Sequence, residues 1–468
     1  MKNKLIYLLS ATLIFLSLTY SSNANIIKVG AGKTYSKPSL AAAIAADGDT
    51  IDIDAGLYSG DVCIWSKNNL TIRGVRGLAR LDAVGKNVQG KSIWIVKGIN
   101  TTIEYIEFFN CTVPDKNGAG IRMEGTDLTL RHCYFHDNED GILAGDNAAS
   151  TIRIEFCEFA RNGAGDGYSH NLYINHVKQL IFSFNYTHHA KIGHCLKSRA
   201  YANYIFYNRI MDEETGNSSY LINLPNGGLS YVIGNQLMKG VNAENQTSID
   251  YGSEGLSNPV NKLYISHNTV VNKRKSGIFV NIRGGTPEAK VINNIFAGIG
   301  TVLQGTAETK SNLNLQNIAS VGFIDELKYD YHLTEGSPAI NAGADLSDFD
   351  STLIPIYEYK HPCDSTSRIQ KLTPDLGAFG FKEQADVSDN IDNNHLNIFP
   401  NPFAGYCTIA MEGLCEVKIT DCFGRIMMKN EFIDKCLWQP ESSIGSGIYF
   451  VKIKKGDKAI VQKIVISR

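Results

Sequence analysis

The chain has 468 residues, more than one ordinary compact domain holds, and 43% are hydrophobic, enough for a large core. Charged residues are only 20% and the formal net charge is −2, which excludes a nucleic-acid binder built on basic excess. Forty-three glycines and 22 tyrosines against 12 prolines suit a β-rich protein with many turns.

Residues 1–24 open with two lysines, continue as an apolar run and end in Ser22-Asn23-Ala24, the pattern of a cleaved secretory signal peptide. No cysteine follows the expected cleavage point, so a lipid anchor is not expected, nor is a later transmembrane span. A helical apolar patch, LAAAIAA (40–46), then lies between strand-like segments. From there a form recurs: a β-branched or aromatic strand, a small or amide residue, then an apolar residue. It reads IEYIEFF (103–109), LTLRHCYF (128–135), IRIEFCEF (152–159), LIFSFNYT (180–187), NYIFYNRI (203–210), YVIGNQL (231–237), LYISHNTV (263–270) and AKVINNIF (289–296). The aligned position holds Ile106, Cys133, Cys157, Asn185, Asn208, Asn235, Asn268 and Asn294. Irregular spacing near 25 residues predicts a solenoid with loops of variable length, and amides at one position of successive coils predict a hydrogen-bonded ladder. Ten cysteines include no CxxC pair and no zinc-like spacing. Cys111, Cys133 and Cys157 are expected as small buried side chains, while Cys407, Cys415, Cys422 and Cys436 stand close enough in sequence to pair.

The opening helix followed by DGDTIDIDAGLY (47–58), with the coil repeats, resembles the right-handed parallel β-helix of the pectate-lyase-like superfamily over residues 26 to about 345. YHLTEGSPAINAG (331–343) and PDLGAFG (374–380) resemble its closing segments, so this unit is placed at 26–381. The resemblance implies an all-β fold with an N-terminal capping helix, and functions from polysaccharide lyase or hydrolase to epimerase or non-catalytic binder. A polar linker is expected at 382–395. Residues 396–468 alternate as a small β-sandwich, and FPNP (399–402), GIYFVKI (447–453) and the terminal KIVISR resemble the C-terminal sorting domain of the type IX (Por) secretion system of Bacteroidetes. That implies handling by the type IX machinery and a secreted or outer-membrane-surface location after passage through the periplasm.

The densest window of proton-moving groups is HHAKIGHCLKSRA (188–200). Side chains alternate across a strand and coils stack about 4.8 Å apart, so a site on a solenoid is read across coils. With Ile121, Leu143, Leu172, Leu196, Ile222 and Ile249 taken as inward, Lys197 and Arg199 project outward together. Tyr173 then lies beside Lys197 and Asn175 beside Arg199, His170 stacks on His194, Tyr220 follows His194, and Asn223 and Asp250 continue the row. Arg122, Glu124 and Asp146 are expected upstream on the same face. This set suits β-elimination of a uronate polymer, in which a base removes the C5 proton, a cation neutralises the adjacent carboxylate, and an acid protonates the leaving oxygen. Lys197 is the expected base, Arg199 the carboxylate clamp, and Tyr173, His170 or His194 the remaining acid–base groups. Asn175, Tyr220, Asn223, Asp250 and Arg122 are expected to bind substrate. Lyases of this superfamily often use Ca²⁺. Here no clear set of Ca²⁺-binding aspartates stands on adjacent coils, and Glu124, Asp146 and the Asp212-Glu213-Glu214 turn are the only candidates for the ion. The expected partner is an extracellular polysaccharide, met by a monomer. The alternatives are a non-catalytic glycan-binding or adhesion protein, a C5-epimerase using the same residues, and a glycoside hydrolase. The last needs two carboxylates roughly 5 to 9.5 Å apart, and the NTD and DD motifs of polygalacturonase-like enzymes are missing.

Overall fold

A computed structural model describes residues 24–346, 351–371, 373–382, 396–421, 424–456 and 458–467. The expected signal peptide up to Asn23, nearly all of the expected linker and Cys422 lie outside them. Among the described residues no helix is long and apolar enough to cross a membrane.

Every segment of the repeat crosses a corner of the solenoid. NYIFYNRI supplies strand Ala202–Phe206, a corner, and strand Arg209–Met211. The residue before the aligned position adopts a left-handed conformation coil after coil: Tyr105, His132, Phe156, Phe184, Tyr207, His267 and Asn293 have φ between 52° and 59°. Non-glycine residues rarely hold that conformation, so something must secure it. The aligned amides do. Asn185 Nδ2 donates to Asn208 Oδ1 at 3.0 Å, and the pattern continues through Asn235, Asn268, Asn294 and Asn312. Each ladder Nδ2 also donates to a strand carbonyl one coil back, as Asn208 does to Phe182. Cys157 and Cys133 extend the position upward as buried thiols, with the Cys157 N–H donating to Asn185 Oδ1. A parallel stack of Phe108, Phe135 and Phe159 fills the interior beside it.

Three parallel faces result. Strand Thr71–Asp82 spans a corner and joins two faces into one hydrogen-bonded sheet of 21 strands, while the third face has ten, from Cys63–Trp65 to Thr301–Gln304. The chain is thus a right-handed parallel solenoid of about ten turns. Its open N-terminal end is covered by helix Pro38–Ala42, shorter and earlier than the apolar patch suggests. Ala41 and Ala45 reach the core, whereas Leu40 and Ile44 stay exposed.

The closing segments fold back along the outside of one face. Tyr331, Leu333, Leu376, Ala378 and Phe379 pack on Met211, Met238 and Ile295. Gly377 takes φ 81° and lies so close to Thr269 and Ile295 that a Cβ would approach within 2.6 Å, so only glycine fits there. The C-terminal unit is a five-stranded antiparallel sheet whose parts share strand Cys407–Asp421. That strand pairs with Asn397–Phe399 at its start and Gly447–Lys455 at its end, and a bulge between Met411 and Leu414 shifts its pairing with Ile426–Trp438. It has its own apolar core, and Cys407, Cys415 and Cys436 are buried within it as unbridged thiols.

Candidate functional site

The candidate site lies on the ten-stranded face. Its inner row runs Trp94, Ile121, Ile142, Leu172, Leu196, Ile222, Ile249, and all are inaccessible to solvent. Leu143 is therefore not the inward residue expected above: Ile142 takes that place, and Leu143 stands outward between Arg122 and Tyr173. In GILAG either of two adjacent apolar residues satisfies the pattern, and the hydrogen-bond register decides between them. Elsewhere the register is as read. Tyr173 pairs with Lys197, Lys197 with Asn223, and Asn223 with Asp250. A slip of one residue would expose Leu196, forfeit roughly 2 kcal/mol of apolar burial, and drive an ammonium into the core.

Lys197 and Arg199 converge on one carboxylate. Glu254 places Oε2 2.7 Å from Arg199 Nη1 and Oε1 3.4 Å from Lys197 Nζ. Arg199 Nε donates to Tyr173 Oη at 2.9 Å, and Arg199 Nη1 also donates to Asn226 Oδ1. Both cations lie over the Tyr173 ring, at 5.4 and 5.7 Å from its centroid. Glu254 comes from the loop after strand Thr247–Tyr251, 57 residues from Lys197 in sequence. The loop is pinned by Glu254 N–H to the Pro225 carbonyl, Asn226 to Ser257, and Asn258 to the Ala200 carbonyl. Glu254 itself remains 47% exposed, open to solvent at the edge of the pinned loop. Neither Glu254 nor Asn226 was among the expected site residues. They sit on irregular loops, where no periodicity announces a contact.

Electrostatics separates the groups. Burial lowers the pKa of Lys197, with Arg199 adding to the effect and Glu254 opposing it. Burial raises Glu254, but the Arg199 hydrogen bond and the two cations outweigh it and hold the carboxyl below its ordinary range. His170 and His194 stack at 4.5 Å, and each accepts a backbone N–H at Nδ1, from His194 and Tyr220 respectively. Burial, then the cations Lys197 and Arg199, push His170 down to about 3. Burial and the neighbouring His170 hold His194 well below the usual imidazole range. Both rings are therefore neutral Nε2–H tautomers at physiological pH. Tyr220 packs on His194 at 5.0 Å.

Other expected members stand apart. Asp250 is fully buried, accepts from Asn223, Asn281 and Ser253, and is raised by burial above the usual carboxylate range. Asn223 is almost as buried, so both support the face from beneath the loop. Asn175 lies past the strand end and accepts the His176 N–H. Arg122 is three rungs from Lys197, roughly 14 Å away. Asp146 is not on the row at all: it lies beyond strand Asp140–Ala144, 66% exposed and 3.8 Å from His176.

The acidic residues do not fit a Ca²⁺ site. Glu124 is engaged by Lys91 and Lys97, Glu254 by Arg199 and Lys197, and Asp250 by three hydrogen-bond donors. Asp212 is buried, where it accepts the Ser218 and Gly240 N–H groups and lies 4.0 Å from the buried Lys239. Glu213 bonds Tyr186 and Arg209. Among the described residues no three His, Cys, Asp or Glu side chains converge as a metal cluster. His188 and His189 face each other through Nδ1 at 2.6 Å and do not join the His170–His194 pair.

These features belong to an exported β-helix protein. A family model described as right handed beta helix region matches residues 55–178, and one described as secretion system C-terminal sorting domain matches residues 397–467. Among solved structures, the crystal structure of pectate lyase Pel9A superposes with a TM-score of 0.56 at 15% identity, covering 77% of this chain and 97% of that one. At that identity the likeness establishes the fold alone. No curated protein sequence matches the chain. The chain is a right-handed parallel β-helix protein of the pectate-lyase-like fold, and it carries a type IX sorting domain at its C-terminus. That domain assigns it to the type IX export route, to the cell surface or the medium.

Proposed function

We propose that the Lys197–Arg199 face acts on a uronate-containing extracellular polysaccharide by β-elimination. The observation that carries this reading is the seat around Glu254: two cations gathered about one carboxylate, over an aromatic ring, with the Arg199 guanidinium also held by the Asn226 amide oxygen. A uronate carboxylate fits the same seat. Glu254 is half exposed while both cations are largely buried, and an entering uronate carboxylate takes its place on them, so the exchange leaves neither cation unpaired. With the uronate bound, Arg199 neutralises its charge and lowers the barrier to removal of the adjacent C5 proton. Lys197, its pKa lowered by burial, accepts that proton in its neutral form. The C5–H electron pair forms the C4–C5 double bond, and the C4–O bond breaks. Tyr173 Oη accepts from Arg199 Nε, which leaves its own proton free for the departing oxygen. His170 and His194, neutral and hydrogen-bonded to the backbone, position Tyr173 and wall the site.

The test is an ultraviolet screen for unsaturated product on alginate, pectate, chondroitin, heparin and ulvan. Product formed by the wild type and lost in Lys197→Ala supports the lyase. Silence on every polymer sinks it. Retention on one polymer in an affinity gel would then favour a non-catalytic glycan binder, which the same carboxylate seat also serves.

A further inference from the structure

A second cleft lies on another face of the same coils, where the closing segments fold back over strands Arg209–Met211 and Gln236–Lys239. Its volume is about 510 Å³, within the range of small-ligand sites. Arg209 forms its floor. The guanidinium lies over two rings, 5.1 Å from the Tyr186 centroid and 5.6 Å from that of Tyr329. Stacking leaves only its edge for hydrogen bonds, and Glu213 takes one edge nitrogen, Nη2, at 3.3 Å. The neighbouring Nε is buried without a partner among the described residues. So is the phenol oxygen of Tyr331, 1% exposed, in the same cleft. A buried donor left unmade costs about 1–3 kcal/mol, so two of them in one cleft wall call for an acceptor. Tyr329 adds strain: it is held at φ 60°, with its carbonyl tied to Gln236 Nε2 at 2.5 Å. His361, Lys382 and the buried Phe379 complete the lining.

We infer that this cleft is a second saccharide site, taking an anionic sugar unit whose carboxylate or sulfate oxygens accept from Arg209 Nε and Tyr331 Oη while its ring lies against Tyr329. Cationic donors beside aromatic faces match a sugar that is charged at one edge and apolar on its faces. The ligand class extends the proposed function, but the site is independent of Lys197 and engages the polymer on a different side of the solenoid.

Calorimetric titration of the purified protein with oligogalacturonate and with heparin-derived oligosaccharide tests this and separates carboxylate from sulfate. Arg209→Gln should weaken binding of the preferred oligosaccharide at least tenfold, and Tyr331→Phe about threefold or more. Because the Tyr331 hydroxyl has no partner among the described residues, Tyr331→Phe should keep or raise the melting temperature, so lost binding would not reflect misfolding. Wild-type affinity in both variants, or no binding of either oligosaccharide to the wild type, overturns the site. Binding lost in Lys197→Ala but unchanged in the cleft variants overturns the cleft and leaves the proposed function standing. Binding that depends on Arg209, with no elimination product from any polymer, sinks the proposed function and keeps the cleft.

Discussion

Glu254 is the residue on which the chemistry of the Lys197 face turns. It raises the Lys197 pKa against the opposing effect of burial. Replacing it with glutamine removes that support and lets the Lys197 pKa fall further. A lysine acting as base works in its neutral form, so the rise of rate with pH should move to lower pH in Glu254→Gln. The pH profile of kcat/KM checks this, and an unmoved acid limb would separate Lys197 from the proton transfer. His170 gives a stability prediction with a definite sign. Its folded-state pKa, about 3, lies below the ordinary imidazole value, so between about 6.5 and 3 the unfolded chain binds a proton that the folded one refuses. The neutral ring's contribution is whole above that window and is lost as pH falls through it. His170→Phe should flatten the loss of stability on the acid side, as denaturant titrations at several pH values would report.

The asparagine ladder is the element that holds the coils in register. Asn235 donates to Asn268 Oδ1 and to the Ile205 carbonyl, and its own Oδ1 accepts from the Asn208 backbone and side chain. Asn235→Leu strips partners from several groups that stay buried. The expected cost is about 3 kcal/mol, at about 1–3 kcal/mol per stranded group, and is measurable as a fall in unfolding midpoint. The same change at exposed Asn242, off the ladder, should cost a few tenths at most. The repeat and its period were legible in the chain because the ladder position, the left-handed residue before it and the strands on either side recur together. Tyr173, Lys197 and Asn223 were legible as neighbours for the same reason. The Leu143 register was not, because Ile142 and Leu143 are both apolar and both nearly buried.

At the scale of the molecule, a solenoid face and a sorting domain serve separate ends. Deleting residues 397–467, the span of the sorting domain, should leave the β-helix in the periplasm of a host with a type IX system. Cell fractionation with immunodetection checks this, and surface or medium localisation of the truncated protein would contradict it. The closing segments matter at the same scale. By packing on the outer face of Met211, Met238 and Ile295 they build the Arg209 cleft there, on a different face from Lys197.

The sequence by itself determined the solenoid, its amide ladder, the outward direction of Lys197 and the secretion tail, because each depends on short patterns that repeat or on local motifs. Only the tertiary structure decided that Glu254 sits between Lys197 and Arg199, that Asp250 is sealed beneath its loop, and that Tyr331 and Arg209 line one cleft. Those contacts join loops and closing segments whose paths are set by non-local hydrogen bonds and packing. Loop length varies freely from coil to coil, and strand periodicity carries no information about where a loop will land.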